Sequence, residues 1–306
     1  MPKTKTSQFV TKFGKKYSDN LIYGVAFTFA MVALSMLGLP TMWIATSFIV
    51  LVHLRHDLSQ SAVIALVAVL TIFFISGSYN AFIPILAVVL SAELYKRYHS
   101  LMLSYEALII LAMLSVILIH LFVPDISSWW IARFDPIKEI VLNDKSVDAK
   151  QVNEAFTAMS KIATGLTAIS AILSAMLGLT IGSIWYAAIE KKTKKLSNEL
   201  LGARMGLIIP ILSLFGIVAW LLKYNWMVDM LPIVIGALSL YGLYVFICVS
   251  WYLFKKPIWI YIMFLLGLFL YMSFDVFKIF IVLIAVTDYF ANWREIFKKV
   301  SVDTKD

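Results

Sequence analysis

Residues Lys161–Lys195 read KIATGLTAISAILSAMLGLTIGSIWYAAIEKKTKK, a long apolar stretch that ends abruptly in a basic cluster. Small residues recur along it at a spacing of four and therefore share one helical face: Ser170, Ser174, Gly178 and Gly182. In lipid, apolar burial cannot drive one helix against another, and small residues help by letting two backbones approach closely. The stretch predicts a central membrane helix, with a face for helix packing or partner binding and a cytoplasmic basic end.

The composition of the whole chain is typical of the membrane class. Of 306 residues, 61% are hydrophobic and 14% are charged, and the mean hydropathy is +0.89. A soluble domain has about 45–50% apolar and about 25% charged residues. The apolar residues are spread over many segments, which excludes a soluble enzyme with a single anchor.

The sequence predicts neither an enzyme nor a metal or cofactor site. The net charge of +8 comes from lysines and arginines between apolar segments, as the positive-inside rule expects, and does not indicate nucleic acid. The single cysteine, Cys248, excludes an intrachain disulfide and a cysteine-rich metal site. No Walker motif, nucleophile elbow, HExxH or dinucleotide fingerprint occurs. The expected partners are the lipid bilayer and other membrane proteins.

Ten apolar segments predict an all-α, polytopic transmembrane helix bundle. They cover 21–38, 41–54, 61–76, 80–95, 103–123, 161–189, 206–222, 230–254, 257–274 and 276–293. A straight crossing needs about 20 residues, and the second to fourth segments are shorter, so they are tilted spans or include a re-entrant pair. We therefore predict eight to ten spans. With ten spans and a cytoplasmic N-terminus, most of the 26 lysines and arginines lie inside, which predicts that both termini are cytoplasmic.

The segments divide the chain into five regions. These are a basic amphipathic segment (1–20), an N-terminal transmembrane group (21–123), an outer loop (124–160), a C-terminal transmembrane group (161–293) and a cytoplasmic tail (294–306).

Two amphipathic helices are predicted outside the spans. In the first region, Phe13 and Tyr17 lie at helical spacing among lysines, which favours a short helix on the inner leaflet or a basic orientation signal. In the outer loop, Ser146 can cap a helix whose apolar stripe includes Val152 and Phe156. That helix is either a lid over an outward-facing cavity or a connector.

Ionisable residues within spans are candidates for chemistry, because one at the bilayer centre costs about 2.5–3.5 kcal/mol. Asp288 lies inside the last segment, and Asn292 follows four residues later on the same face. Two interpretations stay open: a polar contact to a solute, or a structural carboxylate bonded to a neighbouring helix or to Arg294. Asp275 and Lys278, three apart, are placed to pair with each other.

Other charged residues lie near segment ends. His53 and His56 are three apart, as metal ligands can be, but no third ligand is evident and a basic turn at the inner interface is the better interpretation. Glu93, which precedes Lys96, is interpreted as part of another inner helix end.

Three stretches carry a resemblance to a known family. The chain reads ELLGARMGLIIPILSLF at 199–215, YGLYVFICVSWYLFKKP at 241–257 and IAVTDYFANWREIFKK at 284–299. This succession resembles the YybS-like family of bacterial membrane proteins, whose biochemical role is unassigned. That family is grouped with the substrate-binding S components of energy-coupling factor transporters.

The resemblance implies a helical bundle in the bacterial inner membrane with a solute cavity toward the outer face. S components dock on a transmembrane coupling subunit through small residues of the first helix, often as AxxxA. The matching positions are Ala26 and Ala30.

Two functions are therefore predicted. The first is a small-solute binding or transport subunit, with a cavity between the central helix and the C-terminal spans. The second is a non-transporting scaffold or assembly factor that binds other membrane proteins through small-residue faces.

Overall fold

The structure is a computed structural model that describes residues 5–39, 41–77, 82–123, 125–143, 148–254 and 257–297. Within these ranges every long regular element is a helix, which confirms the all-α prediction. The helices are α1 (Lys5–Ser18), α2 (Leu21–Met36), α3 (Met42–Arg55), α4 (Leu58–Ser76), α5 (Phe82–Tyr98), α6 (Leu101–Phe122), α7 (Ile126–Leu142), α8 (Ala149–Ser160), α9 (Ala163–Ile189), α10 (Thr193–Gly202), α11 (Ile208–Leu222), α12 (Asn225–Phe254), α13 (Pro257–Ser273) and α14 (Asp275–Ala291).

Several of these helices are long and apolar enough to cross a membrane. In the described part of the chain, α4, α6, α9 and α12 meet this condition on their own. The number rises to six if α1 with α2, and α13 with α14, each count as one span, although these pairs bend by 112° and 118°. Helices α3 and α11 are apolar but shorter, with 14 and 15 residues. The protein is thus all-helical with four to six candidate membrane spans.

Four described helices lie outside the ten predicted spans, and one of them is α10, in the basic loop after the sixth segment. Helix α1 confirms the helix expected near the N-terminus. Helix α7 occupies part of the predicted outer loop, where internal Pro136 obscures the helical pattern. Helix α8 confirms the second predicted amphipathic helix, but its N-cap is Asp148, whose side chain accepts from the Lys150 N–H; Ser146 lies outside the described residues.

The chain divides into two compact units. Unit 1 comprises Met1–Leu108 and Ser170–Ala203, and unit 2 comprises Ile109–Ile169 and Arg204–Asp306. Two of the three boundaries fall within α6 and α9, so each of these helices contributes to both units, and the third follows the end of α10.

In unit 1, the glycines of the small-residue face pack against α3. A Cβ atom at Gly178 would lie 3.0 Å from Thr46 Oγ1, and one at Gly182 would lie 2.6 Å from Val50 Cβ. Ser170, at the other end of the face, is exposed, and Ser174 is half-buried. The close approach of α9 to α3 therefore depends on the two glycines. Their part of the small-residue face is covered by α3 and packs within the protein.

Helix α1 is also part of unit 1. The ring centroid of Phe13 lies 5.5 Å from that of Phe27 in α2 and 6.4 Å from that of Trp185 in α9. Tyr17 stacks on Phe13 at 4.3 Å. The apolar face around Phe13 and Tyr17 is thus covered by aromatic side chains of its own unit, while three lysines of the helix are exposed: Lys12, Lys15 and Lys16.

In unit 2, helix α12 packs against three neighbours, α11, α13 and α14. A Cβ atom at Gly242 in α12 would lie 2.0 Å from the Ile281 carbonyl oxygen, so the α12 and α14 backbones touch there. This contact brings the polar side chains of α12 close to the end of α14.

Candidate functional site

A basic cavity lies in unit 1, where the C-terminal ends of α3, α5 and α9 meet α10. The cavity is small, with a volume of about 80 Å³. Among the described residues that line it, three are lysines, one is a histidine and one is a glutamate, and the rest are apolar or tyrosine. The lining residues are Lys96, Lys192, Lys195, His99, Glu199, Leu54, Tyr95, Tyr186, Ala187 and Leu196. The lining therefore has a net positive charge.

Local helix geometry places these side chains on one wall. Lys192, Lys195, Leu196 and Glu199 follow one another at helical spacing, so they share a face of α10 and its N-cap. Leu196 is buried and holds this face against the unit. The first N–H groups of α10 have no side-chain cap. Uncapped N–H groups at a helix start favour a negatively charged partner.

Several cavity side chains are already held in place. Glu199 accepts hydrogen bonds from the Leu101 N–H at 2.8 Å and from the Tyr95 hydroxyl at 3.3 Å. Lys192 Nζ donates to the Tyr186 hydroxyl at 3.1 Å, and this bond raises the pKa of Lys192 above its ordinary value. Lys192 therefore stays charged at neutral pH.

Lys96 joins the cavity to the end of α3. Its ammonium donates to the carbonyl oxygens of His53 at 3.1 Å and His56 at 2.6 Å. These carbonyls belong to the last turn and cap of α3, where a positive charge is favourable.

The imidazole of His53 is completely buried, with 0% of its side chain exposed. Its Nδ1 lies 2.7 Å from Ser61 Oγ in α4, and its Nε2 lies 2.8 Å from Glu93 Oε2 in α5. Glu93 also pairs with Arg97 one turn later. The structure therefore brings together His53 at the end of α3 and Glu93 near the end of α5, which the sequence shows only as two separate helix ends.

Arg55, two residues after His53, makes a second charged contact in unit 1. It pairs with Asp19 Oδ1 at 2.6 Å and with Glu190 Oε1 at 3.3 Å, and it also bonds Ser18. Arg55 thus ties the end of α3 to the start of α2 and to the end of α9.

In unit 2, Asp288 forms a buried network with Arg294. Asp288 Oδ2 accepts from Arg294 Nη2 at 3.0 Å and from the Tyr241 hydroxyl at 2.9 Å. The guanidinium also bonds the Tyr244 hydroxyl at 3.3 Å and lies 5.4 Å from that ring's centroid. The geometry favours the structural interpretation of Asp288, and its contact to a solute stays a prediction.

Asn292 does not share a helical face with Asp288, because α14 ends at Ala291. Asn292 has φ 50° and ψ 55°, in the left-handed region, and its N–H bonds the Asp288 carbonyl at 2.9 Å. Asparagine is common at such helix ends. The turn reverses the chain so that Arg294 reaches Asp288.

A second buried carboxylate in unit 2 is Asp229 of α12. Its Oδ2 lies 2.9 Å from His120 Nε2, and its Oδ1 accepts from the Gly165 N–H at 2.8 Å. A Cβ atom at position 165 would lie 1.7 Å from the Asp229 carbonyl oxygen, so this close approach requires glycine. The sequence places Asp229 and His120 at segment ends but gives no sign of their pairing.

The remaining predicted residues lie apart from these networks. Asp275 and Lys278 pair at 2.7 Å, which confirms that expectation. Ala26 and Ala30 are exposed on α2. Among the described residues, no group of three or more His, Cys, Asp or Glu side chains is arranged to hold a metal ion.

The fold and these networks define an all-helical protein with apolar, membrane-length helices and a basic cavity at the end of one unit. Comparison with known protein families, characterised proteins and solved structures gave no match to this chain.

Proposed function

We propose that the protein is a bacterial inner-membrane subunit that binds, and helps to transport, a small anionic solute. The basic cavity of unit 1 carries this proposal. Its volume of about 80 Å³ is smaller than that of a drug-sized pocket, about 300–1,000 Å³, which limits the solute to a small anion. Its three lysines, with the uncapped start of α10, supply the donors that an anion requires.

Two of the polar side chains that line the cavity are available to a ligand. Within the described part of the chain, the side chains of Lys195 and His99 have no hydrogen-bond or ion-pair partner. Lys192 and Lys96 bond only neutral oxygens, so each keeps its full positive charge. An anion in the cavity gains charge-assisted hydrogen bonds without first breaking an ion pair of these lysines.

We also propose that the chain crosses the membrane eight to ten times, with both termini in the cytoplasm. In the ten-span arrangement, the cluster at Lys191–Lys195 is cytoplasmic, and the basic cavity opens toward the cytoplasm. The resemblance to S components supports a solute-binding role, although it implies a cavity toward the outer face.

The test is anion binding to the purified protein in lipid nanodiscs, measured by calorimetry with sulfate, inorganic phosphate and citrate as probes. A variant with Lys192→Ala and Lys195→Ala removes two charges from the cavity. Each lost charge-assisted bond is worth about 1.5–3 kcal/mol, so affinity should fall at least about tenfold per lysine.

The matched control is Lys12→Ala with Lys15→Ala, which removes two exposed charges from α1 in the same unit. Binding should be nearly unchanged in this control. Equal affinity in both double variants, or no binding of any probe to the wild-type protein, would contradict the proposal.

A second candidate function, a scaffold that binds other membrane proteins, is favoured by one observation. The exposed face of α2 places small Ala26 and Ala30 beside Ile22, which is 75% exposed, and Phe29, which is 53% exposed. Small residues on an outward face permit another helix to approach closely. Under the resemblance, the partner is a transmembrane coupling subunit.

A size series on α2 tests this alternative. Ala26→Leu with Ala30→Leu should abolish co-purification with a membrane partner, whereas Ala26→Ser with Ala30→Ser should retain it. Retention with leucine at both positions would exclude this face as the partner site.

A further inference from the structure

The hydrogen bonds of His53 allow its protons to be counted. Ser61 Oγ lies 2.7 Å from His53 Nδ1 and 2.9 Å from the Leu58 carbonyl oxygen, which can only accept. On the other side of the ring, Nε2 lies 2.8 Å from Glu93 Oε2. A serine hydroxyl has one proton to donate, so its direction determines which ring nitrogen must carry a proton.

Two proton arrangements satisfy these distances. If the Ser61 hydroxyl donates to Nδ1, a neutral imidazole donates from Nε2 to the Glu93 carboxylate. If the hydroxyl instead donates to the Leu58 carbonyl, Nδ1 carries a proton and donates to Ser61. The contact from Nε2 to Glu93 then needs a second proton, on the ring or on the carboxyl group. The two arrangements differ by one proton and one hydroxyl rotation, and no heavy atom has to move.

The charges around His53 connect this proton to the cavity. From α5, Lys96 bonds the His53 carbonyl and lines the cavity, while Arg97 pairs with Glu93. On α3 itself, Arg55 is paired with Asp19 and Glu190, and His56 Nε2 lies 3.9 Å from Asp19. The described neighbour from α4 is the neutral Ser61.

Lys96 is thus the cation that both the cavity and His53 share. Its positive charge disfavours a second positive charge on the imidazole, and an anion bound beside Lys96 cancels that effect. Anion binding and proton binding therefore reinforce each other, and the reinforcement is reciprocal by linkage.

We propose that His53, together with Ser61 and Glu93, is a proton-binding site that takes up one proton when an anion occupies the basic cavity. This inference rests on the proposed function and adds to it that transport is proton-coupled. The proton comes from water, enters at the quarter-exposed Glu93 side and leaves when the anion dissociates. Its positive charge offsets part of the solute's negative charge.

Calorimetry with sulfate tests the coupling, because sulfate does not itself titrate near neutral pH. Binding to the nanodisc-embedded protein is measured in buffers of different ionisation enthalpy, which gives the number of protons taken up. The wild-type protein should take up about one proton per sulfate, and His53→Gln should bind sulfate with no uptake.

The matched control is His120→Gln, because His120 is a histidine of unit 2 that does not line the cavity. Uptake should persist in this variant. His99 lines the cavity and is the competing source of proton uptake, so His99→Gln is measured as well. Uptake that survives His53→Gln, or that disappears only in His99→Gln, overturns the inference. Sulfate binding without any proton uptake overturns it as well, and leaves the proposed function standing.

A second measurement does not depend on a variant or on ligand binding. The chain has four histidines, so ¹⁵N-labelled histidine gives a spectrum that can be assigned ring by ring. The His53 ring should change from one to two protonated nitrogens as the pH is lowered. An unchanged ring overturns the proton site. If the ring titrates but sulfate, phosphate and citrate all fail to bind, the proposed function and the coupling fail and the proton site remains.

Discussion

The His53 network of unit 1 and the Asp288 network of unit 2 place the same kinds of group in very different surroundings. Both hold a carboxylate against a basic side chain at the end of an apolar helix. Asp288 and Arg294 are 0% and 3% exposed, and tyrosine hydroxyls bond both of them, while Asp288 Oδ1 has no hydrogen-bond partner among the described residues. Glu93 is 25% exposed, and the Lys96 beside it lines a cavity. We therefore expect the closed pair to act mainly in stability, and our proposal assigns the response to a ligand to the accessible one.

The largest expected effect comes from breaking the closed pair. Arg294→Met should destabilise the folded protein by about 3–5 kcal/mol, because it leaves Asp288 buried without its counter-ion. Unfolding of the purified protein in detergent measures the loss. The double variant Asp288→Leu with Arg294→Met should recover most of the lost stability, because no buried charge is left unpaired. If the double variant is as unstable as the single one, the loss does not come from the unpaired Asp288.

A smaller loss is expected from moving α3 in unit 1. Gly182→Leu drives a side chain into Val50, one turn before His53, and overpacking of this kind costs about 1–3 kcal/mol. Ser170→Leu, on the exposed end of the same face of α9, is the control and should be nearly neutral. The loss is measured as the free energy of unfolding in detergent. Equal losses for the two substitutions would show that Gly182 does not pack closely against Val50.

Glu93→Gln tests whether the His53 network acts differently from the Asp288 network. It should lower the free energy of unfolding by only about 0.5–1.5 kcal/mol, since the network is partly open and glutamine can still accept a hydrogen bond. Proton uptake with sulfate should nevertheless be lost, because the anionic partner of the imidazolium is gone. Asp288→Asn should show the opposite profile, with a larger loss of stability and normal uptake.

The smallest effect concerns Asp125, a fully exposed carboxylate that caps α7. Hydrogen bonds from the Ser128 hydroxyl and N–H lower the pKa of Asp125 below its ordinary value. Since the folded-state pKa is the lower one, the cap contributes fully above about pH 4 and is lost as the pH falls through the folded-state value. The protection factor of the Ser128 amide, which is its intrinsic exchange rate divided by its observed rate, should fall on acidification, and Asp125→Ala should show the low protection at every pH.

The sequence predicts most of the helices because apolar length is a local signal. The predicted segment 206–222, for example, corresponds to α11 at Ile208–Leu222. Helix α7 is missed because its pattern is interrupted by Pro136. Helix α10, with only 10 residues in a basic loop, has too few apolar positions to stand out.

The networks differ in how far they can be predicted. Arg294 is a foreseeable partner of Asp288 because it follows only six residues later, although the left-handed turn at Asn292 is not evident from the pattern. His53 and Glu93 are 40 residues apart, and their pairing depends on how α3 and α5 pack. The basic cavity depends on α10 as well, so no single stretch of sequence contains it.

The aromatic packing of α1 changes how the first residues of the chain should be handled. A Cβ atom at Gly14 would lie 2.2 Å from Trp185 Nε1, so α1 rests directly on the indole ring. A protein shortened to begin at Leu21 would lose that cover and bare Phe27 and Trp185 together. Helix α1 is therefore part of the packed structure of unit 1. The first effect of removing it should be aggregation of the shortened protein, which size-exclusion chromatography in detergent would detect.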